Sequence, residues 1–149
     1  MANMSNYLEN KLIDHLFRNT SYTVPATISI ALVTTAATDT SVGSSLVEVT
    51  GGSYGRVTVT PSTANWRGTD AQVTAVSAGT GGTTDNAAAI TFTTATADWG
   101  TVVGVAITDG GATAAGNVLF YGTLTANKVV SNGDTFQFAA NQLTVQIDN

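Results

Sequence analysis

The chain has 149 residues, one domain's worth and enough to bury a core, with 43% hydrophobic but only 10% charged side chains. Five basic residues against ten acidic ones leave a formal charge of −5, which argues against nucleic acid as a partner, because phosphate contacts need clustered Lys and Arg. Thr (27), Ala (21), Val (16) and Gly (15) dominate; β-branched residues favour strands and Gly punctuates turns, which argues against both a helical bundle and a disordered chain.

The first element in chain order is helical. Over 5–18, Leu8, Leu12 and Leu16 recur at four-residue spacing with Ile13 and Phe17 beside them. This apolar stripe predicts an amphipathic helix of about four turns. Asn6 with Glu9 reads as a capping box, and Asp14 with Arg18 as an i, i+4 ion pair. Asn19, Thr20 and Pro25 end the helix. No basic leader with an apolar run precedes it, and no apolar stretch approaches the length of a membrane span. The product is expected to stay in the cytoplasm, with no membrane as a partner.

Beyond Pro25 the period changes to two. Ile28, Ile30 and Leu32 alternate with small or polar residues, as do Val57 and Val59, then Ala88, Ile90 and Phe92, then Val103, Val105 and Ile107. Val118 to Leu124 is nearly continuous apolar and predicts a central strand covered on both faces. Phe136 and Phe138, and then Leu143, Val145 and Ile147, complete the pattern; weaker strands are expected at Leu46–Val49 and Val73–Val76. Asn132-Gly133 predicts a type I′ hairpin between Val129-Val130 and the Phe136 strand. Loops are expected at 79–85 and 109–116. Eight or nine short strands without helical crossovers predict a mainly β chain. The expected domain is an antiparallel β-sandwich of jelly-roll type over 26–149, preceded by the helix, with Ile30, Val59, Ile90, Phe92, Val105, Phe120, Phe136 and Val145 inward.

Chemistry-bearing motifs are sparse. The chain has no Cys, which removes disulfides, thiol nucleophiles and Cys-based zinc sites. His15, its single histidine, lies on the helix, where a surface or docking role outweighs catalysis. The Gly-rich GGSYG at 51–55 lacks the Lys and Ser/Thr of a phosphate loop and reads as a turn. Asp85, Asp98, Asp109 and Asp134 fall at strand ends or loops without calcium-loop spacing, so no metal site and no cofactor is expected, and the carboxylates are read as turn caps. Trp66 and Trp99 are candidates for a core or interface anchor, or for a platform that stacks on a glycan. No nucleophile or acid–base pair stands out, and no enzyme is expected.

The segments SNYLENKLIDHLFRNTSYTVPATISIALVTT, GGSYGRVTVT, AAAITFTTATADWGTV, NVLFYGTLTANKVVSNGDTFQF and LTVQID together resemble a family of small tailed-bacteriophage virion structural proteins. The resemblance covers nearly the whole chain. It places Tyr54 and Arg56, Trp99 and Gly100, and Tyr121 and Gly122 in the family's pattern, where structural roles are implied, and it carries no catalytic residue. It implies a virion protein assembled in the host cytoplasm. The expected function is capsid decoration: a cement protein that binds and stabilises the shell of major capsid protein. The alternative is a tail, neck or fibre component that touches the host surface, through glycans in one version. A surface this poor in charge is expected to be partly covered, so self-association as a homotrimer is expected. The stripe of Leu8, Leu12, Ile13, Leu16 and Phe17 is the expected docking element.

Overall fold

The computed structural model describes residues 2–73 and 76–147. The amphipathic segment forms α1 (Asn6–Phe17), preceded by a two-residue strand β1 (Asn3–Met4). The strands that follow are β2 (Ile28–Val33), β3 (Val57–Val59), β4 (Trp66–Arg67), β5 (Thr83–Asn86), β6 (Ile90–Thr91), β7 (Gly100–Thr108), β8 (Val118–Val130), β9 (Gln137–Phe138) and β10 (Thr144–Gln146). They form three sheets with antiparallel pairing: five strands in the order β1-β8-β7-β2-β3, three in the order β10-β5-β4, and the pair β6-β9.

One core joins the three sheets. Ile30 and Leu32 of β2, Val102, Val105 and Ile107 of β7, Ile90 of β6, Phe138 of β9 and Val145 of β10 pack in a single cluster with Phe92, Trp99 and Phe136. This is a mainly β, sandwich-like domain with one helix near its N-terminus. Of the eight residues expected inward, six are buried, and Val59 and Phe120 are half-buried against the same cluster. Tyr54 and the Phe rings interlock: Tyr54 stacks on Phe92 at 6.2 Å, and Phe92 meets Phe136 edge-on at 5.8 Å.

The central, two-sided strand is β7 and not β8. From Gly104 to Thr108 every residue of β7 is buried, because β8 and β2 flank it and both of its faces are covered. In β8 only Val118, Leu119 and Val130 are buried. Its outer neighbour β1 pairs with just Phe120 and Tyr121, so Thr125–Val129 lies exposed. The alternation expected from Val103 also shifts. The β7–β8 register breaks between Val102 and Gly104, so Val102 and Val105 share the core while Val103 is half-buried.

Three further elements differ from expectation. Leu46–Val49 forms no full strand; an isolated bridge joins Glu48 to Val33, and Val49 N–H donates to the Leu32 carbonyl at 3.1 Å. Asn132-Gly133 does not close a type I′ hairpin. Gly133 has φ 91° while Asn132 stays at negative φ, Asp134 N–H closes the turn on the Ser131 carbonyl at 3.0 Å, and the chain then crosses to another sheet, since β8 pairs with β7 and β9 with β6. Of the weak strand expected at Val73–Val76, residues 74 and 75 lie outside the described residues, and Val73 and Val76 are exposed.

The helix is rooted in the β domain. Ala2 is buried and bridges Val145, β1 is an edge strand of the five-stranded sheet, and Ser5 is fully buried. The sheet therefore draws on residues well before the 26–149 segment.

Candidate interaction surface

The helix starts on Ser5, not on an Asn6–Glu9 capping box. Ser5 adopts extended backbone, its hydroxyl accepts from Leu8 N–H at 3.3 Å and donates to the Val118 carbonyl, and its own N–H donates to the Leu119 carbonyl at 3.0 Å. Asn6 N–H donates instead to the Asp39 carbonyl at 2.9 Å. At the other end Asn19 takes φ 54°, and Thr20 N–H returns to the Asp14 carbonyl at 3.1 Å. The expected Asp14–Arg18 ion pair forms at 3.2 Å on an exposed surface. His15 Nδ1 accepts from Tyr22 N–H at 3.2 Å and so ties the chain after the helix back onto it.

This rooting divides the apolar stripe. Leu8 is buried and Leu12 half-buried, whereas Ile13, Leu16 and Phe17 are 50%, 68% and 81% exposed. The side chains near the N-terminus of α1 reach its own domain, and the last turn runs beyond it.

Beside Leu8 and Leu12 lies a mostly apolar groove of about 670 Å³. Its walls are Ile28, Ile107 and Phe120 from the five-stranded sheet and Trp66, Thr84 and Val145 from the three-stranded sheet. The groove is thus an unclosed end of the sandwich, and α1 covers part of it. Val24, Val76 and Ile147 sit on its rim, each more than half exposed. The alternation of Leu143, Val145 and Ile147 stops short of the rim: Leu143 and Val145 are buried and Ile147 is not. Trp66 is half-buried in the wall, and its indole N–H is buried without a hydrogen-bond partner among the described residues.

Trp99 is elsewhere and different. It is 5% exposed, meets Tyr54 edge-on at 5.4 Å, and donates from Nε1 to the Gly52 carbonyl at 2.9 Å. No ring face is open to a sugar. The GGSYG turn is shaped around this indole: Gly52 has φ 54°, and a Cβ there would meet Trp99 Nε1 at 2.8 Å.

The carboxylates cap and tie loops. Asp109 accepts from Asn117 N–H and, at 2.8 Å, from its side-chain amide; Asp98 accepts from Asn132 N–H at 2.8 Å and Asp134 from Ser131 N–H at 2.9 Å. Asp85 lies in β5, not in a loop, and holds Arg67 through two 2.6 Å hydrogen bonds. Among the described residues no three of His, Asp or Glu gather where a metal ion could sit.

A buried polar knot escaped the sequence reading. Arg56 and Glu48 form a two-pronged ion pair at 3.1 and 2.6 Å, with both side chains almost fully buried. Arg56 Nη1 also donates to Thr108 Oγ1 and to the carbonyls of Gly110 and Ala115. Ala114 N–H and the Tyr54 hydroxyl donate to the Glu48 carboxylate at 3.1 and 3.0 Å. Burial, reinforced by that carboxylate, holds the Tyr54 phenol above its ordinary pKa, although the Leu32 N–H and Arg56 pull the other way. The available signal was a Glu and an Arg eight residues apart in apolar surroundings. The knot fastens the 109–116 loop to the sheet and offers no open cleft for a substrate.

No helix among the described residues is long and apolar enough to cross a membrane. No curated protein matches the chain. The family model described as podophage GP4 fiber I protein gp80 matches residues 3–146, so an apolar helix end and groove on a small β domain are features of a chain that belongs to this phage fibre family.

Proposed function

We propose that the chain is a non-enzymatic fibre component of a phage particle, acting through the surfaces it presents to other virion subunits. The family match over nearly the whole length carries this reading. The groups a catalyst would use are spent on structure: the buried Arg, Glu and Tyr satisfy one another, and the loop carboxylates cap turns. Apolar surface lies open at α1 and the adjoining groove, which suits protein contacts.

The fibre reading displaces capsid decoration as the preferred function, because the family is described by a fibre and nothing distinguishes a contact with major capsid protein. Its partners are further copies of itself and the structural subunits where the fibre attaches. A glycan platform has no support at Trp99, which is buried, and Trp66 stands in a mostly apolar groove. The test is quantitative mass spectrometry of purified particles, comparing this chain with the major capsid protein. A small fraction of the capsid copy number is expected. Parity with the capsid protein overturns the fibre assignment and restores a decorating role.

A further inference from the structure

We infer that Asn132 is a site of spontaneous covalent modification, deamidation to an aspartyl or isoaspartyl residue, and that the native fold holds this reaction back by clamping the 131–134 turn.

The sequence supplies the reactive pair. Asn132 is the one asparagine of the chain that precedes glycine. In the reaction the Gly133 backbone nitrogen loses its proton and attacks Cγ of Asn132. The N–Cγ bond forms, the Cγ–Nδ2 bond breaks, and Nδ2 leaves as ammonia. Water then opens the cyclic imide at either carbonyl, which gives aspartate or, with an extra methylene in the backbone, isoaspartate. No oxidant or reductant is needed. Glycine favours the attack because it has no Cβ to crowd its nitrogen. Asn132 and Gly133 are both exposed, and a Cβ on Gly133 would meet nothing within 4 Å, so water reaches the site.

The fold withholds the nucleophile. Gly133 N–H donates to the Ala95 carbonyl at 2.8 Å, and the buried Ala95 donates its own N–H to the Asp134 carbonyl at 2.8 Å. A hydrogen bond donated by the amide stabilises its protonated form and opposes the deprotonation that attack requires. Asp98 holds Asn132 N–H at 2.8 Å and Asp134 holds Ser131 N–H at 2.9 Å, and hydrogen bonds to carboxylates are among the stronger ones. Backbone geometry acts in the same direction. A positive φ at Gly133 after a negative φ at Asn132 is the type II pattern, which turns the Gly133 nitrogen away from Asn132 Cβ, whereas ring closure needs the two eclipsed. The turn must open before the ring can close, so the native rate follows local opening.

The position gives the modification a consequence. The turn joins Val130, the end of β8, to Phe136, and both belong to the core. Either product places a third carboxylate in a turn that already holds Asp98 and Asp134, and the isoaspartyl form also lengthens the backbone against the Ala95 clamp.

The experiment incubates the full chain at mildly alkaline pH and follows each asparagine by peptide mapping with mass spectrometry. Four samples are compared: the native wild type, the wild type unfolded in urea, native Asp98→Ala, and native Ser5→Ala. Asp98→Ala removes one arm of the clamp at an exposed position, and Ser5→Ala weakens the fold at the opposite end of β8. Circular dichroism verifies that both variants are folded. In urea Asn132 is expected to convert ahead of every other asparagine. In the native wild type it is expected to convert about tenfold or more slowly than in urea, because opening must come first. Asp98→Ala is expected to speed the native reaction several-fold, and Ser5→Ala to leave it near the wild-type rate. Equal rates in the native and unfolded wild type overturn the inference, as does another asparagine leading in urea. It also fails if Asp98→Ala leaves the rate unchanged, or if Ser5→Ala speeds it as much, since the turn would then not be what limits the reaction.

Discussion

Glu48 and Arg56 sit almost fully buried eight residues apart, and between them they anchor Tyr54, Thr108 and the 109–116 loop. Each charge is tolerable only because the other is there. Glu48→Ala is expected to cost about 3–5 kcal/mol, since it strands a buried guanidinium. Replacing both by Glu48→Leu and Arg56→Met is expected to cost less than the single change, as urea denaturation of the set will show. Tyr54 adds a pH signature. Its folded-state pKa lies above the usual value near 10, so the folded chain keeps the phenolic proton when the unfolded chain has lost it. The contribution is complete below pH 10 and declines as pH rises past it. Urea midpoints should therefore fall above that pH in the wild type, and fall less steeply in Tyr54→Phe.

At the scale of elements, α1 belongs to two settings. Its N-terminus is fixed by Ser5, which caps the helix and bonds to a strand 113 residues away. Ser5→Ala removes both contacts and is expected to cost about 1–2 kcal/mol in thermal or chemical denaturation. Its last turn is free, and Leu16→Asp is expected to leave monomer stability within about 0.5 kcal/mol. Removal of residues 1–18 goes much further. It strips β1 from the edge of β8, takes Ala2, Ser5 and Leu8 out of the packed interior, and opens the groove fully. That truncation is expected to melt well below the full chain or to aggregate, which calorimetry with light scattering will show; a melt matching the full chain would mean the helix contributes nothing to its own domain.

The whole molecule is a sandwich that does not close. The five-stranded and three-stranded sheets share a core but leave an apolar opening between Ile107, Phe120, Trp66 and Val145, which α1 only partly covers. A soluble monomer would be expected to close such an opening. A fibre subunit can leave it to assembly, where apolar surface is covered by neighbouring subunits and contributes to holding them together.

What the sequence alone determined was local and periodic. The four-residue spacing of Leu8, Leu12 and Leu16 specified a helix, and two-residue alternation at Ile28–Leu32 and near Ile90–Phe92 specified strands and most of the core. Both follow from backbone geometry, which sets where successive side chains point. The tertiary structure decided everything that depends on neighbours far along the chain. An apolar run at Val118–Leu124 looks like a buried central strand until β1 proves too short to cover it, and β7 takes the centre because β2 and β8 flank it. Strands β1, β4 and β5 carry little apolar alternation and exist through their partners, β5 with help from the Arg67–Asp85 pair. The Glu48–Arg56 knot needs a turn to fold the two residues together and a loop from beyond residue 108 to surround them. The same holds for the interaction surface. Periodicity marked five apolar residues on one helix, but which of them lie inside and which stay exposed was settled by how far the sheets reach under α1, a distance that no local pattern encodes.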